Sequence, residues 1–248
     1  MIQMAESHNA LRREEVARHE DCPDDLLEKL VGDTDFKVRT AAYGNPNCPE
    51  KLLTLRINIE EGQPGFDHAL LQLACLHAHA PHDLIAAQFE RLKPDAEQRR
   101  QLAKRTDDES LQQRLLADQE PLVRRALAVN KAVGKAAQQQ LAKDADAVVR
   151  VHLADNDNLH PEVQGQLARD PSYEVRERLA RRAELSETVQ LLLTRDEDQD
   201  VLEALASRAG ATTLPDAVQL ELIKCDVDVR KALARNSSLG APAQLLLA

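Results

Sequence analysis

The chain has 248 residues, of which 43% are hydrophobic and only 2% aromatic, with no tryptophan and a net charge of −10 at pH 7. This much Leu, Val and Ala can bury a sizeable core, but without large rings it suits thin repeated layers better than one thick core. The acidic balance lacks the basic footprint of a nucleic-acid binder, and the longest apolar runs fall far short of the ~20 residues of a membrane span.

In chain order, the opening stretch, MIQMAESHNALRREE, holds neither an apolar core nor a cleavage pattern. No signal peptide is expected, so the setting is read as cytoplasmic, and Cys22, Cys48, Cys75 and Cys225 are expected as reduced thiols. Leu11–His19 leads into Asp21-Cys22-Pro23, which parallels Asn47-Cys48-Pro49 one period later. Leu30, Asp33, Val38, Arg39 and Asn45-Pro46 fall at matching offsets. The stretch 57–66, with Glu60, Glu61, Gly62 and Pro64, reads as an inserted loop. Looser copies follow around Ala69–Leu76 and Gln98–Arg105.

From residue 115 the pattern is plain. VRRALAVN (Val123–Asn130) returns as VRVHLADN (Val149–Asn156), VRERLARR (Val175–Arg182), VLEALASR (Val201–Arg208) and VRKALARN (Val229–Asn236). The first three intervals between the leading valines are identical and the last is longer by two, so extra residues around Gly210–Pro215 predict an enlarged loop before the last copy. A Leu and an Asp precede each of the first four valines, as in Leu115/Asp118 and Leu141/Asp144. Val123/Leu127, Val163/Leu167 and Val189/Leu193 are four positions apart, the spacing of a buried helical stripe. Pro161 stands where a first helical turn would begin, with Pro23, Pro49 and Pro81 similarly placed. Each repeat is therefore two short helices, one of them expected as a single turn or 3₁₀-like because so short a period leaves little room. The predicted fold is all-α, a HEAT-like α-solenoid of about nine short repeats running as one array over 1–248, its apolar stripes covered by neighbouring repeats. The ending APAQLLLA stops midway through a repeat, and is expected to fold back or to offer apolar surface to a second chain.

The phrase L-A-x-D-x-x-x-x-V-R-x-x-L-A-x-N, followed by proline at the next helix, resembles the leucine-rich repeat variant family, a relative of HEAT-type repeats. The resemblance runs from about Arg12 to the C-terminus and is strongest over Leu115–Asn236. It implies a right-handed superhelix of alternating α and 3₁₀ helices and no general enzymatic activity. Family repeats are slightly shorter than these. Some members carry an iron–sulfur module with closely spaced cysteines, which this chain lacks, so no cofactor is carried over.

Among polar residues, Asp33/Arg39, Asp118/Arg124, Asp144/Arg150, Asp170/Arg176 and Asp226/Arg230 recur in almost every layer. Catalysis needs one special site, so the recurrence is read as a structural ladder of carboxylate–guanidinium bonds tying repeats together. Leu202 breaks it beside Asp196. Asn45, Asn130, Asn156 and Asn236 share one repeat position and are read as helix caps. Arg105, Arg182 and Arg208 fill that position elsewhere; they cap poorly, are expected to reach outward, and are the candidate partner-binding residues. Cys75, His77, His79 and His82 suit a borderline metal, but C-x-H-x-H-x-x-H matches no structural zinc pattern, and no metal is expected. No catalytic motif is present. Two readings follow. The first is a non-catalytic scaffold binding a protein or peptide, as a monomer or weak homodimer. The alternative is a nucleic-acid-binding or base-repair protein using the arginine clusters between Arg99 and Arg182.

Overall fold

The computed structural model describes residues 1–53, 73–74, 77, 80–81, 89, 95–208, 214–236 and 239–247. The proposed inserted loop, the enlarged loop at 210–213, and Cys75, His79 and His82 lie outside the described residues. The chain divides into two compact units, Met1–Leu102 and Ala103–Ala248. Every regular element among the described residues is a helix.

In the second unit, each repeat has a first helix and a second helix that carries the Val–Leu phrase. The first helices are Glu109–Leu116, Lys135–Leu141, Pro161–Leu167, Glu187–Leu193, Asp216–Leu222 and Ala241–Leu247. The second helices are Pro121–Ala128, Ala147–Ala154, Tyr173–Ala180, Gln199–Ala206 and Val227–Ala234. The first helices are short, as expected, but they are α-helical over about two turns, so neither a single turn nor a 3₁₀ helix describes them. The short period suffices because the turns are brief and need no left-handed residue: helix ends such as Val129, Ala142 and Ala168 keep right-handed backbone.

Local chemistry starts these helices. Asp146, Asp198 and Asp226 each accept the amide two positions on, and Asp108 and Ser186 accept the amide three positions on. Pro121 and Pro161 occupy first helical positions, where a missing N–H costs nothing. Pro23 stands one place earlier, as the N-cap of Asp24–Leu30.

Helices stack like on like, second helix on second helix in every successive layer. The stripe positions Val123, Val149, Val175, Val201 and Val229 and Leu127, Leu153, Leu179, Leu205 and Leu233 are fully buried between layers. At roughly 1.5–3 kcal/mol per buried aliphatic side chain, these two columns are the main cohesive force between repeats. The first unit uses the same parts. Ala10–Arg18 packs on Phe36–Tyr43, with Asp24–Leu30 between them in sequence, over a core of Val16, Ala17, Leu26, Leu27, Leu30, Val38 and Tyr43.

Candidate interaction site

Three polar ladders accompany the apolar columns. In the first, the guanidinium of one repeat binds the carboxylate of the next. Arg124 reaches Asp144 at 2.6 and 3.1 Å, Arg150 reaches Asp170 at 2.7 and 3.0 Å, and Arg176 reaches Asp196 at 2.6 and 2.9 Å. Arg13 and Asp33 make the same pair in the first unit, although Arg13 drew no attention in the sequence. The aspartate six positions before Arg124, Arg150 and Arg176 supplies its backbone carbonyl instead, as Asp118 does to Arg124 at 2.6 Å, and Ser7 O does so for Arg13. The bidentate hydrogen bonds to aspartate raise the pKa of Arg124, Arg150 and Arg176, against their partial burial, which lowers it. Leu202 stands where an arginine would continue this ladder, and Asp226 turns its carboxylate to its own helix start.

In the second ladder, the asparagines cap the helix of the preceding repeat rather than their own. Asn156 Nδ2 donates to Ala128 O at 2.7 Å and Asn130 O at 2.9 Å, while its Oδ1 accepts from Asn158 N. Asn45, Asn130 and Asn236 bridge two carbonyls in the same way. His77 is a member too: it is buried, and its Nε2–H donates to Asn45 O at 2.7 Å.

The third ladder was missed in the sequence. Gln112, Gln138, Gln164, Gln190 and Gln219 are buried on the first helices, and the first four recur at the period of the repeat itself. Gln138 Nε2 donates to Val133 O and Asn158 O at 3.0 Å, and its Oε1 accepts from His160 N at 2.8 Å. The periodic recurrence of glutamine was the available signal.

Arg182 and Arg208 correct the expectation of outward contacts. Both turn inward and do the work of asparagine. Arg182 Nη1 donates to Ala154 O at 2.7 Å, and Arg208, 5% exposed, donates to Ala183 O. Burial lowers both guanidinium pKa values, with Asp157, Asp155 and Glu184 opposing the shift at Arg182. Arg105 is half-buried at the end of the helix Ala96–Arg105. The physical reason is shared: a position whose job is to donate to buried carbonyls accepts any long donor.

Arginine has no acceptor, however, and the substitution at 182 leaves a mark. No side-chain oxygen is present to fold the following loop as Asn156 folds its own. A cleft of about 460 Å³ opens there, lined by Asp155, Asp157, Arg178, Arg181, Arg182 and Glu184. Arg178 lies 3.5 Å from Asp155, Asp157 pairs with Lys131 at 2.6 Å, and Arg181 pairs with Glu177. Arg182 Nε is buried without a hydrogen-bond partner. In the same layer Gln164 makes long bonds of 3.3 and 3.4 Å, and its buried Oε1 has no partner.

A second hollow of about 220 Å³ lies along the first helices Pro161–Leu167 and Glu187–Leu193, lined by Gly165, Arg169, Thr188, Val189, Leu191, Leu192 and Arg195. These openings hold carboxylates, guanidinium groups and aliphatic side chains. Among the described residues no group of three His, Cys, Asp or Glu side chains could hold a metal ion, and no helix is long and apolar enough to cross a membrane.

A solved structure described as a leucine-rich repeat variant with a novel repetitive protein structural motif is similar to this chain. The two share 23% identity and a TM-score of 0.56, over 93% of this chain and 88% of that one. The fold is thus that of a leucine-rich repeat variant-like helical repeat, and this neighbour is a repeat protein. No protein-family model and no curated protein matches the chain.

Proposed function

We propose that the chain is a non-catalytic scaffold that binds a protein or peptide, with the charged cleft at Arg178, Arg181, Asp155, Asp157 and Glu184 as a contact surface. The observation that carries this reading is a break in the polar lattice, where buried atoms of Arg182, Gln164 and, one layer on, Gln190 lack partners and a 460 Å³ recess of mixed charge opens on a repeat framework. One repeat array across both units and a reducing, cytoplasmic setting belong to the same reading. The arginine row that motivates nucleic-acid binding is largely spent: Arg124, Arg150 and Arg176 hold the ladder, Arg125 pairs with Asp146, and Arg178 and Arg181 face carboxylates. This favours a polypeptide partner over a phosphate backbone.

The test is quantitative affinity capture from native host extract with the wild-type chain and the variant Arg178→Glu/Arg181→Glu, alongside nucleic-acid titration. A polypeptide held by the wild type and lost by the folded variant is expected. Failure to recover any such partner, together with DNA or RNA binding that weakens steeply with salt, would favour the alternative.

A further inference from the structure

The outward positions of the first helices change character along the second unit. One column reads Gln113, Gln139, Gly165, Leu191, Leu220 and Leu245. The next column ends in Leu192, Glu221 and Leu246. Leu220, Leu245 and Leu246 are 37%, 80% and 64% exposed, so the stripe is open to solvent where earlier layers present glutamine. Gly165 sits at the start of this stripe, in mid-helix, where glycine costs about 1 kcal/mol relative to alanine. A Cβ added there would meet nothing within 4 Å. That empty position forms one wall of the 220 Å³ slot against Val189, Leu191 and Leu192.

A row of cations runs beside the stripe. Lys143, Arg169, Arg195 and Lys224 occupy one repeat position in four successive layers, just past the first-helix C-termini, and all are exposed. Arg169 and Arg195 line the slot itself, and Arg169 keeps one donor on Gly165 O at 2.7 Å. Their neighbours Asp144, Asp170 and Asp196 turn into the arginine ladder and leave the cations facing outward. Exposed Glu197 and Asp226 each follow a cation of the row by two positions, and Glu221 is taken by Lys224, but the slot itself is lined by Arg169 and Arg195 and no carboxylate. On a chain of net charge −10, a slot lined by two cations and no acid is a local excess of positive charge.

We infer that this face, centred on the Gly165 slot, is a docking site for an acidic amphipathic helix of a protein partner. The inference rests on the scaffold reading but uses a different surface from the charged cleft. Layers of packed helices are ~8–10 Å apart, and positions seven apart on a helix are separated by about 10.5 Å. A bound helix lying along the stack therefore sets one apolar side chain in the slot and another on Leu220, with its carboxylates over the row of cations.

The experiment uses a fluorescein-labelled amphipathic peptide with leucines on one helical face and glutamates elsewhere, with a glutamate-to-lysine peptide as control. The full chain is expected to bind the glutamate peptide and not the lysine one. Gly165→Leu, which fills the slot and favours helix, should keep the helical circular dichroism and weaken binding at least about tenfold. Arg169→Glu/Arg195→Glu should weaken it similarly, and Arg178→Glu/Arg181→Glu should leave it unchanged. Equal affinity of wild type and Gly165→Leu, or equal binding of both peptides, overturns the docking site and leaves the scaffold reading to its own capture test. Sedimentation showing self-association that Gly165→Leu abolishes would also overturn it, because the occupant would then be a second copy of this chain.

Discussion

The layer at Asn156 and the layer at Arg182 are built from the same repeat and differ, among other positions, in the group that closes the preceding helix. The amide of Asn156 donates twice and accepts once, so it closes the preceding helix and folds its own loop together. Arg182 donates to Ala154 O and, more loosely at 3.4 Å, to Asp157 O, and has nothing to accept with. The consequence spreads: Gln138 is satisfied on three sides in the first layer, whereas Gln164 is stretched and has an orphaned oxygen in the second. In a solenoid each layer is held only by its neighbours, so a missing acceptor becomes an opening in the surface.

The sharpest way to break the comparison is to damage the good layer. Asn156→Ala strands two buried carbonyls and one amide. It should cost about 3 kcal/mol, read as a fall in urea midpoint, whereas Arg182→Ala should cost about 1 kcal/mol because it also releases a half-buried cation. Equal losses would show that the two layers are equally well knit. Asp170→Ala comes next: it leaves Arg150, 9% exposed, without its carboxylate and should cost about 2 kcal/mol. Arg125→Ala, which breaks the partly exposed pair with Asp146 but leaves Asp146 capping its helix, should cost well under about 1 kcal/mol by the same measurement.

How far these differences could be read from the sequence depends on the reach of each contact. The Val–Leu stripe and the helix start at Pro161 act over a short stretch of chain, and their spacing was visible. The aspartate–arginine ladder was visible as a type. Its pairing, with the aspartate of the next repeat rather than the one six positions earlier, depends on how repeats stack. Gln138 and Gln164 looked like ordinary helix-surface residues, because glutamine favours helix whether buried or not. Arg182 and Arg208 were misplaced for a related reason. A guanidinium after a helix usually reaches water, and only the stacked carbonyls of the previous repeat draw it inward. The slot at Gly165 is lined by residues of two adjacent layers, which no single repeat encodes.

The first unit gives a smaller, pH-dependent contrast. Arg13 holds the Asp33 carboxyl below its usual value, chiefly through their hydrogen bonds. A depressed carboxyl contributes stability above its unfolded pKa of about 3.9 and loses it as pH falls through the folded value. Urea titrations should therefore show the first unit weakening below about pH 4. Asp33→Asn should flatten that acid limb; an unchanged limb would mean that other groups set it.

The comparison is sharpened most by repairing the poor layer. Arg182→Asn restores a group that can bridge carbonyls and accept the amide of Glu184, as Asn156 accepts that of Asn158. It also removes a cation whose Nε is buried without a partner. Stability should rise by about 1 kcal/mol, against the usual cost of shortening a buried side chain. Amide exchange over 183–186 should slow as the loop folds. Binding through the charged cleft should fall in the same variant, since closing the loop removes the recess. A gain in stability with binding intact would mean that the recess and the binding surface are separate features of this layer. A loss of stability would mean that arginine's longer reach, and not its missing acceptor, is what this position requires.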